Sequence, residues 1–298
     1  MSAFQRILVG MDLTAMDTQL LDHLPLYAGG DPAPKLHFLH VAYAMELPVM
    51  VGGRYTRELQ DLPIDQSSLD AMRSEVEPKL EPNHFDAEFH VLEGTITRQL
   101  LTYANDHHVD LTVMGRKKHP AGTGVAAHRY LRGSEGSVLF IPETKLARLD
   151  KVVIATDFSE YSQLVVNRTL ELIRQQETPP EIHFVNVYDV PTDLAYRISR
   201  TEGQFAQIIR ENVESVVPDF LSRFDLSGLT HEFHLIENTR YNSAQHLVDF
   251  VKNHDADLMV IGARGHSVVS ALLLGSVAER ILRYNEEIPL LVMRCEGS

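Results

Sequence analysis

The sequence predicts an α/β protein built as two tandem doubly wound domains, each a mostly parallel five-stranded sheet. Three observations predict it. The chain has 298 residues, about two domains' worth. Four segments recur in the same order about half a chain apart. Within each half, short apolar β-rich runs alternate with helix-period runs, the pattern of a parallel sheet covered on both faces.

The repeat is specific. Arg6-Ile-Leu-Val-Gly-Met-Asp12 resembles Lys151-Val-Val-Ile-Ala-Thr-Asp157, at an aspartate offset of 145. His37-Phe-Leu-His-Val41 matches His183-Phe-Val-Asn-Val187 at offset 146. Glu88-Phe-His-Val-Leu-Glu93 matches Glu232-Phe-His-Leu-Ile-Glu237 at 144, and Asp110-Leu-Thr-Val-Met-Gly115 matches Asp257-Leu-Met-Val-Ile-Gly262 at 147. One gene segment duplicated in tandem explains this. The halves are expected to divide as 1–146 and 147–298, with a short join near Glu143–Leu149.

Each half opens on an apolar run, Ile7–Gly10 or Val152–Ala155, as for a strand buried on both faces. An aspartate follows, then Thr14 or Ser159, both good helix N-caps. Helices are expected at Gln19–Tyr27 and Leu164–Arg174, and the His-Phe runs are the second strands. Leu69, Met72 and Val76 in the first half recur at helical spacing, as do Phe205, Ile208, Ile209, Val213 and Val216 in the second. Strands Ala87–Leu92 and Glu232–Ile236 come next, then helices Thr97–Asn105 and Ser243–Asn253, then strands Leu111–Met114 and Leu258–Ile261. A last helix and strand, Val138–Ile141 or Leu290–Met293, closes each half.

Composition narrows the function. Lys plus Arg number 27 and Asp plus Glu 41, a net charge of −14, which repels phosphate backbones and anionic lipid. No nucleic-acid partner and no membrane insertion are expected, since no run reaches the about 18 apolar residues of a span. Met1–Gly10 carries no signal-peptide pattern, so cytoplasm is the expected location. Cys295 is the one cysteine, which excludes internal disulfides and Cys-rich metal sites.

One segment carries chemistry. After the strand Leu258–Ile261 stands Gly262, two residues, Gly265, nine residues, then Gly275-Ser276. Glycines there allow close backbone approach and positive φ, and successive amides can cradle phosphate oxygens. Gly275-Ser276 opens a helix Val277–Arg283 whose N-terminus attracts an anion. Arg264 is the one cation between the first two glycines. A structural reading stands beside this: Gly262 turns the chain, and Ser276 with Glu279 has capping-box spacing.

This spacing, with Ala155-Thr156-Asp157-Phe-Ser159 after the first strand and Val187 on the second, resembles the ATP-binding motif of the universal stress protein family. The resemblance covers essentially the whole chain, in that family's tandem two-domain form with an adenine nucleotide α-hydrolase-like fold. It implies that Asp157 accepts hydrogen bonds from the base or ribose, that Ala155 and Val187 line the base pocket, and that Thr156 between them in the motif belongs to the nucleotide-binding set. Ala155 stands where the family often has proline. It implies that Gly262, Gly265, Gly275, Ser276 and Val277 hold ribose and phosphates; Arg264 is added here from its charge. The expected ligand is ATP, with or without Mg, in a stress-response switch that is at most a slow ATPase. The resemblance further implies a pseudo-dimer within one chain, joined through the terminal strands, and a homodimer beyond it.

The first half departs from the motif. Asp12, Val41 and Gly115 persist, but Lys118 stands where the second glycine should, and Gly124-Val125 replaces Gly-Ser. Lys117, Lys118 and Gly122-Thr-Gly124 are left as a weaker anion-binding alternative to a degenerate copy. Two other functions stay open: a scaffold that binds no nucleotide, and an enzyme of the wider fold class. No Walker A, GxGxxG or GxSxG motif and no acid–base pair is present. No metal site is expected, because His37 and His40, or His231 and His234, lie three apart on strands and point to opposite faces.

Overall fold

The computed structural model describes residues 3–42, 64–80, 86–117, 123–143, 146–190, 202–239, 242–264 and 274–295. The chain divides into two compact units, Ser2–Leu146 and Ala147–Ser298.

In the first unit the elements run β1 (Arg6–Met11), α1 (Ala15–His23), β2 (Lys35–Ala42), α2 (Ile64–Val76), β3 (Ala87–Glu93), α3 (Ile96–Asp106), β4 (Leu111–Arg116), α4 (Thr123–Gly133) and β5 (Ser137–Pro142). The strands lie in the order β3-β2-β1-β4-β5, all parallel. The second unit runs β6 (Lys151–Ala155), α5 (Glu160–Ile173), β7 (Glu181–Tyr188), α6 (Glu202–Leu221), β8 (His231–Glu237), α7 (Ser243–Asn253), β9 (Leu258–Gly262), α8 (Ser276–Tyr284) and β10 (Leu290–Met293). Its order is β8-β7-β6-β9-β10, again parallel. Strand order therefore reverses between β1 and β4 and between β6 and β9. A parallel sheet of this kind opens a crevice at the carboxyl ends of the strands flanking such a reversal.

The core follows the apolar runs. Ile7, Leu8 and Val9 of β1 and Val152, Val153 and Ile154 of β6 are fully buried. Two aspartates tie the strand starts together. Asp110 accepts the N–H groups of Gln5 and Arg6, and Asp257 accepts those of Asp150 and Lys151 and the Arg148 guanidinium. Helix α1 starts earlier than its apolar period suggested, because the Thr14 hydroxyl caps it by accepting from Met16 N. It also ends earlier, at His23, and continues as a 3-10 turn over Leu24–Leu26, because Pro25 has no N–H to donate. Among the described residues no helix is long and apolar enough to cross a membrane.

Candidate functional site

The turn after the first strand is built alike in both units. Ser159 caps α5 by accepting from Ser162 N. Asp157 Oδ1 accepts Ser159 N at 3.1 Å and Ser159 Oγ at 2.5 Å. Asp12 does the same with Thr14, at 3.2 and 2.6 Å. The residue between each pair lies in the left-handed region, Leu13 at φ 57 and Phe158 at φ 63. A bulky residue there is strained. The Phe158 ring is held by a stack on Phe233 and an edge contact with Phe220, 5.7 and 5.3 Å between centres.

Above this turn in the second unit lies a cavity of about 380 Å³. Ala155, Thr156 and Asp157 line it from the end of β6, and Val187 from β7. Gly262 and Arg264 line it from β9, and Gly275, Ser276 and Val277 from the start of α8. Nine of the ten residues chosen from sequence thus share one cavity, at the carboxyl end of the β6–β9 reversal. The tenth, Gly265, lies outside the described residues.

The roles of the glycines differ from expectation. Gly262 does not have a positive φ; a Cβ there would meet Tyr161 Cε1 at 2.9 Å and Arg264 O at 3.0 Å. Glycine is required by the Tyr161 ring packed against the strand end. Gly275 sits at φ −66, ψ 144, a conformation open to any residue. It is also the N-cap of α8, which makes Ser276 the first helical residue. The expected capping box is therefore absent: Gly275 has no side chain to cap α8, and Glu279 N donates to Gly275 O. Ser276, Val277 and Ala278 of this first turn line the cavity, and the free N–H groups of a helix start suit an anion.

Tyr161 organises the strand ends. Its hydroxyl donates to Met293 O at 3.0 Å and accepts from Cys295 N at 3.3 Å. The Arg264 guanidinium lies 5.3 Å from its ring centre. Burial pushes the Cys295 thiol up to about 11, so it stays protonated.

Ser162, Val185, Asp189 and Ser243 also line the cavity and were not singled out from sequence. Asp189 was legible: Val185, Val187 and Asp189 follow the two-residue period of one strand face. Asn238 donates to both Asp189 Oδ1 (2.7 Å) and Ser243 Oγ (3.1 Å), joining two walls.

The first unit has its own cavity, about 440 Å³, lined by Asp12, Thr14, Met16, Val41, Gly115 and Lys117 among others. Its cation is engaged with the aspartate. Lys117 Nζ lies 2.5 Å from Asp12 Oδ2 and donates to Thr14 Oγ1 at 2.9 Å. Lys118 and Gly122 lie outside the described residues.

The chain matches the Universal stress protein family model twice, over residues 3–142 and 148–294. A universal stress protein of Methanocaldococcus jannaschii is 24% identical over 144 residues, 48% of this chain and 81% of that protein. A universal stress protein structure from Archaeoglobus fulgidus superimposes with a TM-score of 0.63 at 16% identity, covering 98% of this chain and 97% of the other. A Pseudomonas aeruginosa structure described as a putative universal stress protein gives 0.60 at 16%, covering 98% and 94%.

Proposed function

The chain belongs to the universal stress protein family, and from that premise we propose that its second half binds one adenine nucleotide, with ATP the favoured ligand, as a regulatory switch in a stress response. One observation carries the reading: residues chosen from a phosphate-loop spacing, a first-strand aspartate and a second-strand valine line the same cavity. Its volume falls within the range of small-molecule sites, roughly 300–1,000 Å³. Ala155, Val185 and Val187 form an apolar wall suited to a base, and Asp157 offers acceptors to a ribose or amino edge. The uncapped start of α8 and Ser276 suit the phosphates, with Arg264 at the rim.

Among the described residues the cavity holds no general base poised against a nucleophile, which favours a switch over rapid turnover. The alternative, a scaffold that binds no nucleotide, is separated by one experiment. The purified chain is denatured and the released small molecules are identified by mass spectrometry, followed by calorimetric titration of the emptied protein with ATP. Release of an adenine nucleotide, or saturable binding near one per chain, supports the reading. No release and no heat at millimolar ATP sinks it.

A further inference from the structure

Each unit carries a cluster of histidines with a carboxylate, away from the cavities and toward the N-terminal ends of β2 and β3 or of β7 and β8. In the second unit it is His183, Glu232 and His234; in the first, His37, Glu88 and His90. In each set the three residues offer donor atoms within 4.8 Å of one another. The clusters form across strands. His183 pairs in register with Glu232, and His234, two residues on, projects from the same face of β8.

We propose that the second unit binds one divalent transition-metal ion of the zinc class at His183, Glu232 and His234. His183 Nδ1 and His234 Nε2 face each other at 2.9 Å. Two ring nitrogens that close share a proton or a cation. Glu232 Oε2 lies 3.4 Å from His234 Nε2. Donors on a tetrahedral zinc, at about 2.0–2.1 Å from the ion, sit about 3.3 Å apart, so the group needs only a small adjustment.

The surroundings supply a second, independent observation. His183 is almost wholly buried, and its other nitrogen, Nε2, has no hydrogen-bond partner of good geometry. Glu181 Oε1 lies 3.3 Å from that nitrogen, short of a well-formed hydrogen bond. A carboxylate behind the far nitrogen of a ligating histidine is the usual outer support of a metal site, fixing the tautomer that leaves the near nitrogen's lone pair for the ion. His254 Nδ1 donates to Phe250 O (2.9 Å), and its ring centre lies 5.8 Å from both His183 and His234. Glu232 and His234 are 60% and 24% exposed, which leaves an entry path.

The first unit shows what prevents such a site. Lys35 stands where the second unit has Glu181, and its Nζ lies 2.6 Å from Glu88 Oε1. Tyr103 stands where the second unit has Phe250, and its hydroxyl is 2.9 Å from His37 Nδ1. Glu88 Oε2 faces both rings, 3.3 Å from His37 Nδ1 and 3.5 Å from His90 Nε2, but the ammonium on its other oxygen draws off its charge and the Tyr103 hydroxyl competes for the inner nitrogen. In the second unit both are replaced, one by a carboxylate and one by a ring without a hydroxyl. The Lys151 ammonium lies 4.0 Å from the other oxygen of Glu181.

The test is calorimetric titration of Zn²⁺ into the full-length chain stripped with chelator, with folding of every variant checked by circular dichroism. One Zn²⁺ per chain is expected, weakened at least tenfold by His234→Ala or Glu232→Gln and unchanged by His90→Ala. A first-unit double variant, Lys35→Glu with Tyr103→Phe, is expected to raise the stoichiometry toward two. The proposal is overturned if the parent takes up no Zn²⁺ at tens of micromolar. It is equally overturned if folded His234→Ala binds like the parent, or if His90→Ala and His234→Ala lose binding alike.

Discussion

Lys117 Nζ lies 2.5 Å from Asp12 Oδ2, an ion pair between two residues that line the first cavity. Two residues beyond the strand-end glycine, the same place in the second unit holds Arg264, whose guanidinium stacks 5.3 Å from the Tyr161 ring. A lysine at this place neutralises the aspartate internally. The planar arginine is instead drawn to an aromatic face. The two cavities share a fold and differ in whether the first-strand aspartate is already paired with this residue.

The first prediction is an asymmetric response to removing that carboxylate. Asp157→Ala should weaken ATP binding about tenfold or more, the order expected for lost charged hydrogen bonds. Asp12→Ala should leave the affinity and a stoichiometry of one unchanged. Two equivalent ATP sites by calorimetry would contradict this.

The second concerns the glycines. Gly262→Ala places a Cβ against Tyr161 and the Arg264 carbonyl, and should lower stability by about 1–3 kcal/mol, as overpacking does. Gly275→Val fits its backbone angles, so the protein should keep most of its melting temperature while binding ATP at least tenfold more weakly. Thermal unfolding and titration of both variants separate the effects. A Gly262→Ala chain as stable as the parent would remove Tyr161 as the reason for glycine.

Much of this was legible in the residues, and the failures have physical causes. The repeat offsets located both aspartate anchors and both first-strand turns, because apolar runs and turn residues are local signals. The strained positions were not legible: the left-handed residues are Leu13 and Phe158, which no composition rule marks, whereas the motif glycines Gly262 and Gly275 have ordinary angles. Ser276 was read as a potential cap because a cap and a first helical residue differ by one position, which spacing cannot resolve. The histidine clusters are not legible along single strands, because His183 meets His234 only through the β7–β8 register.

A third prediction is a pH dependence from Asp17. This carboxyl is fully buried beneath the first turn and accepts the N–H groups of Asp12 (3.0 Å) and Leu13 (2.7 Å). Burial, the largest cause, and the Asp12 charge raise it from 3.8 to about 6, against the opposing pull of those N–H groups. Between these values the unfolded chain has lost the proton and the folded chain keeps it. Stability from this group is therefore full below about pH 4, falls as pH rises through about 6, and is flat above. The change is on the order of 3 kcal/mol. Urea unfolding of the parent and Asp17→Asn across that window should show the extra slope in the parent alone. Parallel slopes would refute it.

The strand anchors give a fourth prediction. Asp257 is fully buried and Asp110 is part-exposed, and Asp257 also holds Arg148 at 2.5 Å. Removing a buried carboxylate strands the N–H groups of Asp150 and Lys151. Asp257→Ala should cost about 3 kcal/mol, and Asp110→Ala measurably less. Chemical denaturation ranks them, and an equal or reversed ranking would show that burial does not govern these anchors.

The last prediction uses the first unit as a guide to the second. Arg264 and Lys117 occupy matching places, and the carboxylates they could reach, Asp157 and Asp12, sit in the same turn with the same hydrogen bonds to the following hydroxyl residue. What differs is the side chain. A guanidinium spreads its charge over a plane and stacks on Tyr161; an ammonium is a point charge that seeks oxygen. Met16 stands where Tyr161 does, so the first unit offers its lysine no ring, and the lysine turns to Asp12. Arg264→Lys should therefore bring an ammonium to Asp157, close the cavity mouth as Lys117 does, and weaken ATP binding at least tenfold with little change in melting temperature. Arg264→Gln, which removes the charge without supplying a partner for Asp157, should weaken binding less. The ordering is the informative result: if lysine binds ATP as well as arginine, or better than glutamine, pairing with the aspartate is not what separates the two cavities.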